Sequence, residues 1–248
     1  MDRIKKATGI VIKYYPFKET SRIATILTKE SGKIRAVAKG YHRKKSNFGS
    51  TLEPLTCINF VFYENPKKDY FLISQADIIK RYENIRNNYE KLICGSIILD
   101  MTDKALHLGQ GGFYDITNNT ILSLEKYNNL FGICVGYQIK LLSLCGFAPK
   151  LKNCIRCGKT TEVKAGFSPA GGGTVCENCL SYFKDIIYVP VGAFALLNSL
   201  LRMDYQQIQR IKVHWTLQRF ALNIIERFWL FHFENLPKMW NETVKIIS

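Results

Sequence analysis

The chain has 248 residues, 47% of them hydrophobic, and its 35 Lys and Arg against 20 Asp and Glu give a net charge of +15. This composition excludes a disordered chain and suffices for a sizeable core, in one large domain or two to three small ones. Charged residues interrupt every apolar run too soon for a transmembrane span. Residues 1–80 hold 16 Lys and Arg against 7 Asp and Glu. Such a basic excess indicates a polyanionic partner, and nucleic acid is favoured over membrane because no basic amphipathic helix or lipidation motif is present.

The first 80 residues predict a small β-barrel. Five short segments are rich in β-branched and aromatic residues, and turn signals separate them. Together with one long basic connection, this pattern fits the OB-fold, although an SH3-like barrel would give nearly the same pattern. The predicted strands are Thr8–Tyr14, Arg22–Thr28, Ile34–Ala38, Thr56–Tyr63 and Tyr70–Ser74.

The long connection contains the sequence KGYHRKKSNFGS at residues 39–50. Most charge runs of this kind are solvated surface loops, but basic residues mixed with aromatic ones also suit phosphate contacts and base stacking. Phe48 has a second interpretation, in which its ring pins the loop to the barrel. The candidate DNA contacts, including two neighbours on the preceding strand, are Lys33, Arg35, Lys39, Tyr41, Arg43, Lys44, Lys45 and Phe48.

From about Arg81 the pattern predicts helices. Ile93, Ile97, Met101 and Ala105 recur every four residues, which places them on one helical face. Further helices are predicted over Ile116–Tyr127, Leu130–Leu144, Val191–Met203 and Val213–Phe233. In the last of these, we interpret the apolar stripe of Trp215, Phe220, Ile224, Phe228 and Phe231 as core packing.

Four cysteines form the strongest motif. Two CxxC pairs, separated by eighteen residues, supply four thiolates for a tetrahedral Zn²⁺, and a closed set of four sulfur ligands indicates a structural site. The N-terminus has no secretory signal, so we expect a cytosolic, reducing compartment in which metal binding is favoured over disulfides. Free thiols and an iron–sulfur cluster are the less favoured alternatives. The ligands would be Cys154, Cys157, Cys176 and Cys179, whereas Cys57, Cys94, Cys134 and Cys145 lie in apolar runs and are predicted to be buried.

No sequence pattern predicts an active site. The chain contains no Walker A motif and no HExxH, and its four histidines are scattered. Asp100 and Asp103 lie three residues apart on a predicted helix, where two carboxylates can hold Mg²⁺ in a nuclease. A solvated helix face is the more common reason for such a pair. We therefore expect a protein that is not an enzyme.

Three groups of motifs resemble those of one protein family. The first comprises AKG at 38–40 followed by basic residues, KSNFG at 45–49 and LEPL at 52–55. The second is LLSLCGFAP at 141–149, directly before the first cysteine pair, and the third is FSPAGG at 167–172, before the second pair. In these motifs and their order, from about Gly9 to Phe233, the chain resembles the RecO family of bacterial recombination mediators.

The resemblance implies an α+β protein with an N-terminal five-stranded OB-fold barrel and an α-helical domain with an inserted zinc ribbon that has four cysteine ligands. The implied domains are the barrel at 1–80, a helical domain at 81–150, the ribbon at 151–183 and C-terminal helices at 184–248. The implied function is binding of single- and double-stranded DNA, strand annealing, and work with RecR to load RecA onto DNA coated by single-strand-binding protein (SSB). The implied location is the bacterial cytoplasm, at the nucleoid.

Lys140 is the candidate for binding the SSB tail. It matches the segment where the family usually has an arginine, and the family's helical region is thought to take the acidic, apolar C-terminal tail of SSB. A lysine offers a point charge instead of a bidentate fork, and a snorkelling surface lysine is an equal interpretation. Two other functions remain open: an RNA-binding protein of the translation or transcription machinery, and a nuclease that uses the two aspartates.

Overall fold

The N-terminal strands close into a five-stranded barrel. The computed structural model describes residues 4–43, 46, 48–63, 69–108, 111–161 and 164–247, with Lys164 as backbone only. The strand order is β1-β2-β3-β5-β4, and β1 pairs with both β2 and β4. This order is that of the OB-fold and confirms the prediction of that barrel. The strands are β1 (Ile4–Phe17), β2 (Ser21–Thr28), β3 (Gly32–Ala38), β4 (Thr56–Tyr63) and β5 (Phe71–Arg81).

Strand β1 closes the barrel by pairing with a different strand along each half of its length. Its first half pairs with β4 and its second half with β2, and the register shifts between Val11 and Lys13. At the crossing, a Cβ on Gly9 would lie 2.5 Å from the Ile26 Cγ2 atom and 2.9 Å from the Leu27 carbonyl oxygen. Such bulges and close approaches let a strand bend sharply. Gly9 therefore allows the barrel to close.

The helices pack on the outside of the barrel around a second core. Ile10 and Leu27, on β1 and β2, belong to that core. These two strands therefore separate the barrel interior from the helical core and contribute side chains to both. The face of α2 predicted from Ile93, Ile97 and Met101 is buried, as expected. No helix formed by the described residues is long and apolar enough to cross a bilayer. The helices are α1 (Glu83–Arg86), α2 (Tyr89–Ala105), α3 (Phe113–Lys126), α4 (Leu130–Leu144), α5 (Val191–Arg202), α6 (Tyr205–Ile208), α7 (Trp215–Phe233) and α8 (Trp240–Ile247).

A small ribbon is inserted between α4 and α5. Its sheet has the order β7-β6-β8, with β6 (Lys164–Ser168), β7 (Gly173–Cys176) and β8 (Ile187–Pro190). The β6–β7 hairpin turns at the glycine-rich stretch as predicted, whereas β8 extends the sheet beyond residue 183. Phe167 of β6 packs against Phe228 of α7, with ring centroids 5.4 Å apart. This contact fixes the ribbon to the helical core.

The prediction that the whole aromatic stripe of α7 is core was wrong at its two ends. Ile224 and Phe228 are buried, but Trp215 is 55% exposed and Phe231 is 53% exposed. At about 100° per residue, Trp215 points to the side of the helix opposite Ile224. Phe231 lies on nearly the same side as Ile224, but it comes after Trp229, the last buried residue of α7, and so lies beyond the part of the helix that packs on the core.

Candidate nucleic-acid interface and metal centre

A cleft with three cationic side chains opens on the barrel. Lys18, Lys39 and Arg43 line it together with the rings of Phe17 and Tyr70, and its volume is about 340 Å³. The two rings meet edge to face, with centroids 5.6 Å apart. No carboxylate is among the described residues that line it. Cations beside aromatic rings can contact phosphates and stack with bases, and we call this site the basic cleft.

Strand register brings the parts of the basic cleft together. Arg22, which follows the β1–β2 turn, pairs with Ala38 at the end of β3, so that turn lies beside the start of the β3–β4 loop. Parallel pairing of β3 with β5 places Val37 opposite Leu72, close behind Tyr70. Gly40 adopts a positive φ of 69°, and the Arg43 N–H donates to its carbonyl oxygen at 3.0 Å. This tight turn directs the loop back over the cleft.

Arg22 anchors the β3–β4 loop. Its guanidinium lies between the rings of Tyr14 and Tyr41, 3.6 and 4.0 Å from their centroids. It also donates to the Glu53 carboxylate at 2.7 Å and to the Tyr41 hydroxyl at 3.0 Å. Because Tyr41 and Glu53 lie near the two ends of the loop, one buried arginine holds both ends against β2. The two ends of the loop that carries the basic residues are therefore held in place on the barrel.

Tyr41 and Phe48 are buried in the barrel, contrary to their predicted stacking role. Each is only 7% exposed, and their rings stack on each other with centroids 6.2 Å apart. Burial is the main cause that raises the pKa of Tyr41, while Arg22 opposes it. The alternative interpretation of Phe48, as a pin between loop and barrel, fits this position. Neither ring offers a face to a base.

The remaining predicted DNA contacts fall in different places. Lys39 and Arg43 line the basic cleft. Arg35 is exposed on β3 outside it. Lys44 and Lys45 lie outside the described residues.

Lys33 is engaged by the helical domain. Its Nζ atom lies 2.7 Å from the Asp103 carboxylate, which also pairs with Lys13. Burial opposes ionisation of Asp103, but hydrogen bonds from the two lysines outweigh it and lower the pKa of this carboxyl. Asp100 accepts a hydrogen bond from the Lys238 backbone N–H at 2.8 Å. Both aspartates thus have protein donors: Asp103 joins α2 to the barrel, and Asp100 joins it to the segment before α8. This arrangement suits packing better than a magnesium site.

Sequence reasoning missed Phe17, Lys18 and Tyr70, although the structure brings them to the cleft. Phe17 is the last residue of β1, Lys18 is the first residue of the β1–β2 turn, and Tyr70 directly precedes β5. The aromatic–basic pair where β1 meets the turn was the available signal. The position of this turn beside the end of β3 follows only from the strand order β1-β2-β3-β5-β4, which local sequence does not reveal.

The four predicted cysteines converge. Their sulfur atoms all lie within 4.8 Å of one another, and the Cys157 and Cys176 sulfurs are 3.6 Å apart. A tetrahedral ion with metal–sulfur bonds of about 2.3 Å needs sulfurs roughly 3.8 Å apart, so the spacing fits such an ion. The four residues are therefore close enough to bind one metal ion.

Backbone groups of the first CxxC turn also prepare the site. The Cys154 N–H donates to the Lys159 carbonyl oxygen at 2.8 Å, and Gly158 turns the chain with a φ of 76°. Burial alone would raise the pKa of Cys154, but N–H groups from Cys176, Cys157 and Arg156 lower it to about 6. These groups favour thiolate, the form that binds metal. The four-sulfur donor set and the N–H groups around Cys154 both fit a metal ion.

Lys140 lines a separate cavity of about 640 Å³ on the helical domain. Its ammonium group donates to the Met203 carbonyl oxygen and lies 4.7 Å from the centre of the Tyr205 ring. Burial lowers the pKa of Lys140, and nearby Asp204 opposes that shift. The side chain is half-buried, and a surface lysine that only extends into solvent would not make these contacts. Other lining residues are Ile116, Leu122, Lys126 and Tyr127.

Comparison with known proteins identifies the family. A family profile described as "Recombination protein O N terminal" matches residues 1–82, and one described as "Recombination protein O C terminal" matches residues 86–240. A protein from Caldanaerobacter subterraneus subsp. tengcongensis is 32% identical over 235 residues, 94% of each chain. One from Rubrobacter xylanophilus is 32% identical over 203 residues, 79% of each chain, and one from Oceanobacillus iheyensis is 25% identical over 247 residues, 99% of this chain and 93% of the other. All three relatives carry the name DNA repair protein RecO. The chain therefore belongs to the RecO family of DNA repair proteins.

Proposed function

We propose that this protein is a DNA-binding recombination mediator without catalytic activity. It binds single- and double-stranded DNA, anneals complementary strands, and acts with RecR to load RecA onto SSB-coated DNA in the bacterial cytoplasm, at the nucleoid. The observation that supports this most directly is the basic cleft, where Lys18, Lys39 and Arg43 surround two aromatic rings. Membership of a DNA repair family makes DNA the polyanion to test first.

Annealing makes and breaks no covalent bond. It requires two phosphate backbones to come close while their mutual repulsion is screened, and basic side chains supply that screening. Contacts to phosphates carry no sequence information, so binding of this kind tolerates any sequence. The lining of the basic cleft meets these needs, and the Arg22 anchor keeps its loop in place.

The metal in this proposal is a single structural Zn²⁺. Cys154, Cys157, Cys176 and Cys179 would hold it, and four sulfur ligands leave no position for substrate or water. Bound Zn²⁺ would supply a crosslink between the two CxxC turns. DNA contacts would then come mainly from surfaces outside this site.

The cavity around Lys140 is the proposed place for the SSB tail. Ile116, Leu122 and Tyr127 give it apolar walls, and among its described lining residues two lysines, Lys126 and Lys140, outnumber one carboxylate, Asp204. An acidic, apolar peptide complements both features.

The test is annealing of complementary strands coated by SSB, with and without RecR. We expect the wild-type protein to anneal them and the variant K18A/K39A/R43A to fold normally but anneal poorly. The matched control, K29A/K152A/K159A, removes the same charge at exposed lysines that do not line the cleft.

Two results would contradict the proposal. One is equal annealing by the cleft variant, the control and the wild type. The other is tighter binding to RNA than to DNA of the same sequence, which would favour the alternative of an RNA-binding protein.

A further inference from the structure

Helix α7 carries an exposed ridge that the basic cleft does not include. Trp215, Arg219, Asn223, Arg227 and Phe231 are spaced four residues apart, and all five are exposed. Residues at this spacing are neighbours on a helix surface. The ridge therefore presents, in order, an aromatic ring, a guanidinium, an amide, a second guanidinium and a second ring. We call these five residues the α7 ridge.

The α7 ridge is long enough to contact several nucleotides of a single nucleic-acid strand. At a rise of 1.5 Å per residue, the sixteen steps from Trp215 to Phe231 cover about 24 Å, with one ridge side chain about every 6 Å. The Arg219 guanidinium already lies over the Trp215 ring, 5.9 Å from its centroid. Because each four-residue step also turns by about 40°, the α7 ridge runs diagonally across the exposed side of the helix and combines charge with ring surface along it.

Two open cavities flank the α7 ridge and meet at Tyr188, whose side chain is 71% exposed. One, of about 550 Å³, includes Phe220, and the other, of about 830 Å³, includes Arg227 and Phe231. Each also has one carboxylate at its edge. Glu177 lines the first, and Asp185 of the second accepts hydrogen bonds from the Ser168 hydroxyl and the Ala170 N–H at 2.6 and 2.7 Å. The Asp185 charge is thus directed into the ribbon.

We propose that the α7 ridge and Tyr188 form a second binding site for single-stranded DNA. The occupant follows from the chemistry: exposed rings suit unpaired bases, and arginines between them suit phosphates. Arg210 and Lys212 are exposed just before α7 and extend the positive charge. The cleft lies on the barrel and this ridge on α7 beside the ribbon, so one chain can hold two strands at once. That role in pairing strands rests on the proposed annealing function.

Tryptophan fluorescence tests this site directly. Trp229 and Trp240 are 0% and 2% exposed, so Trp215 is the tryptophan that a bound strand can stack on and quench. The full zinc-loaded protein is titrated with oligothymidylate at several salt concentrations. We expect quenching in the wild type, its disappearance in W215F, and its retention in the cleft variant K18A/K39A/R43A.

The arginines give the second part of the test. R219A/R227A should weaken the quenching and reduce the slope of log K against log salt by roughly 1.4, since each lost phosphate contact removes about 0.7. R219K/R227K keeps the charge and should retain most of the slope. Unchanged quenching in R219A/R227A overturns the inference, as does quenching by an acidic peptide in place of DNA. If Trp215 stays silent while the cleft still binds DNA, only this inference fails; if the wild type binds no DNA by any signal, the proposed function fails too.

Discussion

The barrel and the ribbon differ in what their sheets enclose. Among the described residues, the barrel interior contains fifteen buried hydrophobic residues, whereas the ribbon's own cluster has Val175 and two cysteines as its buried members. A core of the first kind is stabilised by burial of apolar surface, and one of the second kind needs a crosslink. We therefore expect substitutions of exposed barrel residues to leave the fold intact, and loss of a ribbon cysteine to destabilise it.

Loss of a ribbon cysteine should have the largest effect. We expect C154S or C176S to lower the free energy of unfolding by about 4 kcal/mol or more, because metal binding contributes directly to folding. Elemental analysis of the wild type should find about one Zn per chain. Hydrogen exchange should speed up across residues 154–179, while DNA affinity of the folded fraction falls only modestly.

The control for this prediction is C145S. Cys145 is half-buried and lies outside the cysteine cluster, so its replacement should change the melting temperature little. A metal-free wild-type protein with an unchanged melting temperature would show that the ribbon does not depend on metal.

Removing the loop anchor should have the next largest effect. R22A leaves the Glu53 carboxylate and the Tyr41 hydroxyl without their donor, and we expect a loss of about 2–3 kcal/mol in unfolding free energy. DNA affinity should also fall, because the loop that carries Lys39 and Arg43 is no longer anchored to β2. R35A removes an exposed arginine from the next strand and should cost about 0.5 kcal/mol or less. Equal losses in the two variants, measured by urea unfolding, would contradict the anchor role.

The contact between barrel and helices should show in the pH dependence of stability. We expect D103N to cost about 1 kcal/mol at pH 7, since Lys13 and Lys33 lose their shared carboxylate. The folded pKa of Asp103 lies below its ordinary value near 3.8, so its contribution is full above that value and is lost as the pH falls through the folded pKa. The stability curves of wild type and D103N should therefore converge in acid. A gap that stays constant from pH 7 to pH 2, or an equal effect of D69N at an exposed site, would rule this out.

Local chemistry accounts for what could be predicted from the sequence. The CxxC spacing located the four cysteines that converge, because metal coordination constrains residue type and separation together. Alternating apolar residues located the barrel strands, and the glycine-rich stretch located the ribbon hairpin, since both patterns depend on neighbours along the chain.

Long-range packing accounts for what could not be predicted. Tyr41 and Phe48 occur in a polar loop, and their burial depends on the end of the barrel that they close. Lys33 can form its ion pair with Asp103, seventy residues away in the sequence, only when α2 packs against the barrel. The exposure of Phe231 likewise depends on how far α7 extends past its partners.

The most direct test of the central claim, that the barrel holds DNA through its basic cleft, is the salt dependence of single-strand binding. The variant K18A/K39A/R43A should unfold within about 0.5 kcal/mol of the wild type, as expected for exposed residues. Its slope of log K against log salt should be smaller by roughly 2, from three lost phosphate contacts of about 0.7 each. The control K29A/K152A/K159A should retain the wild-type slope. A cleft variant whose affinity and slope both match those of the wild type would contradict the account.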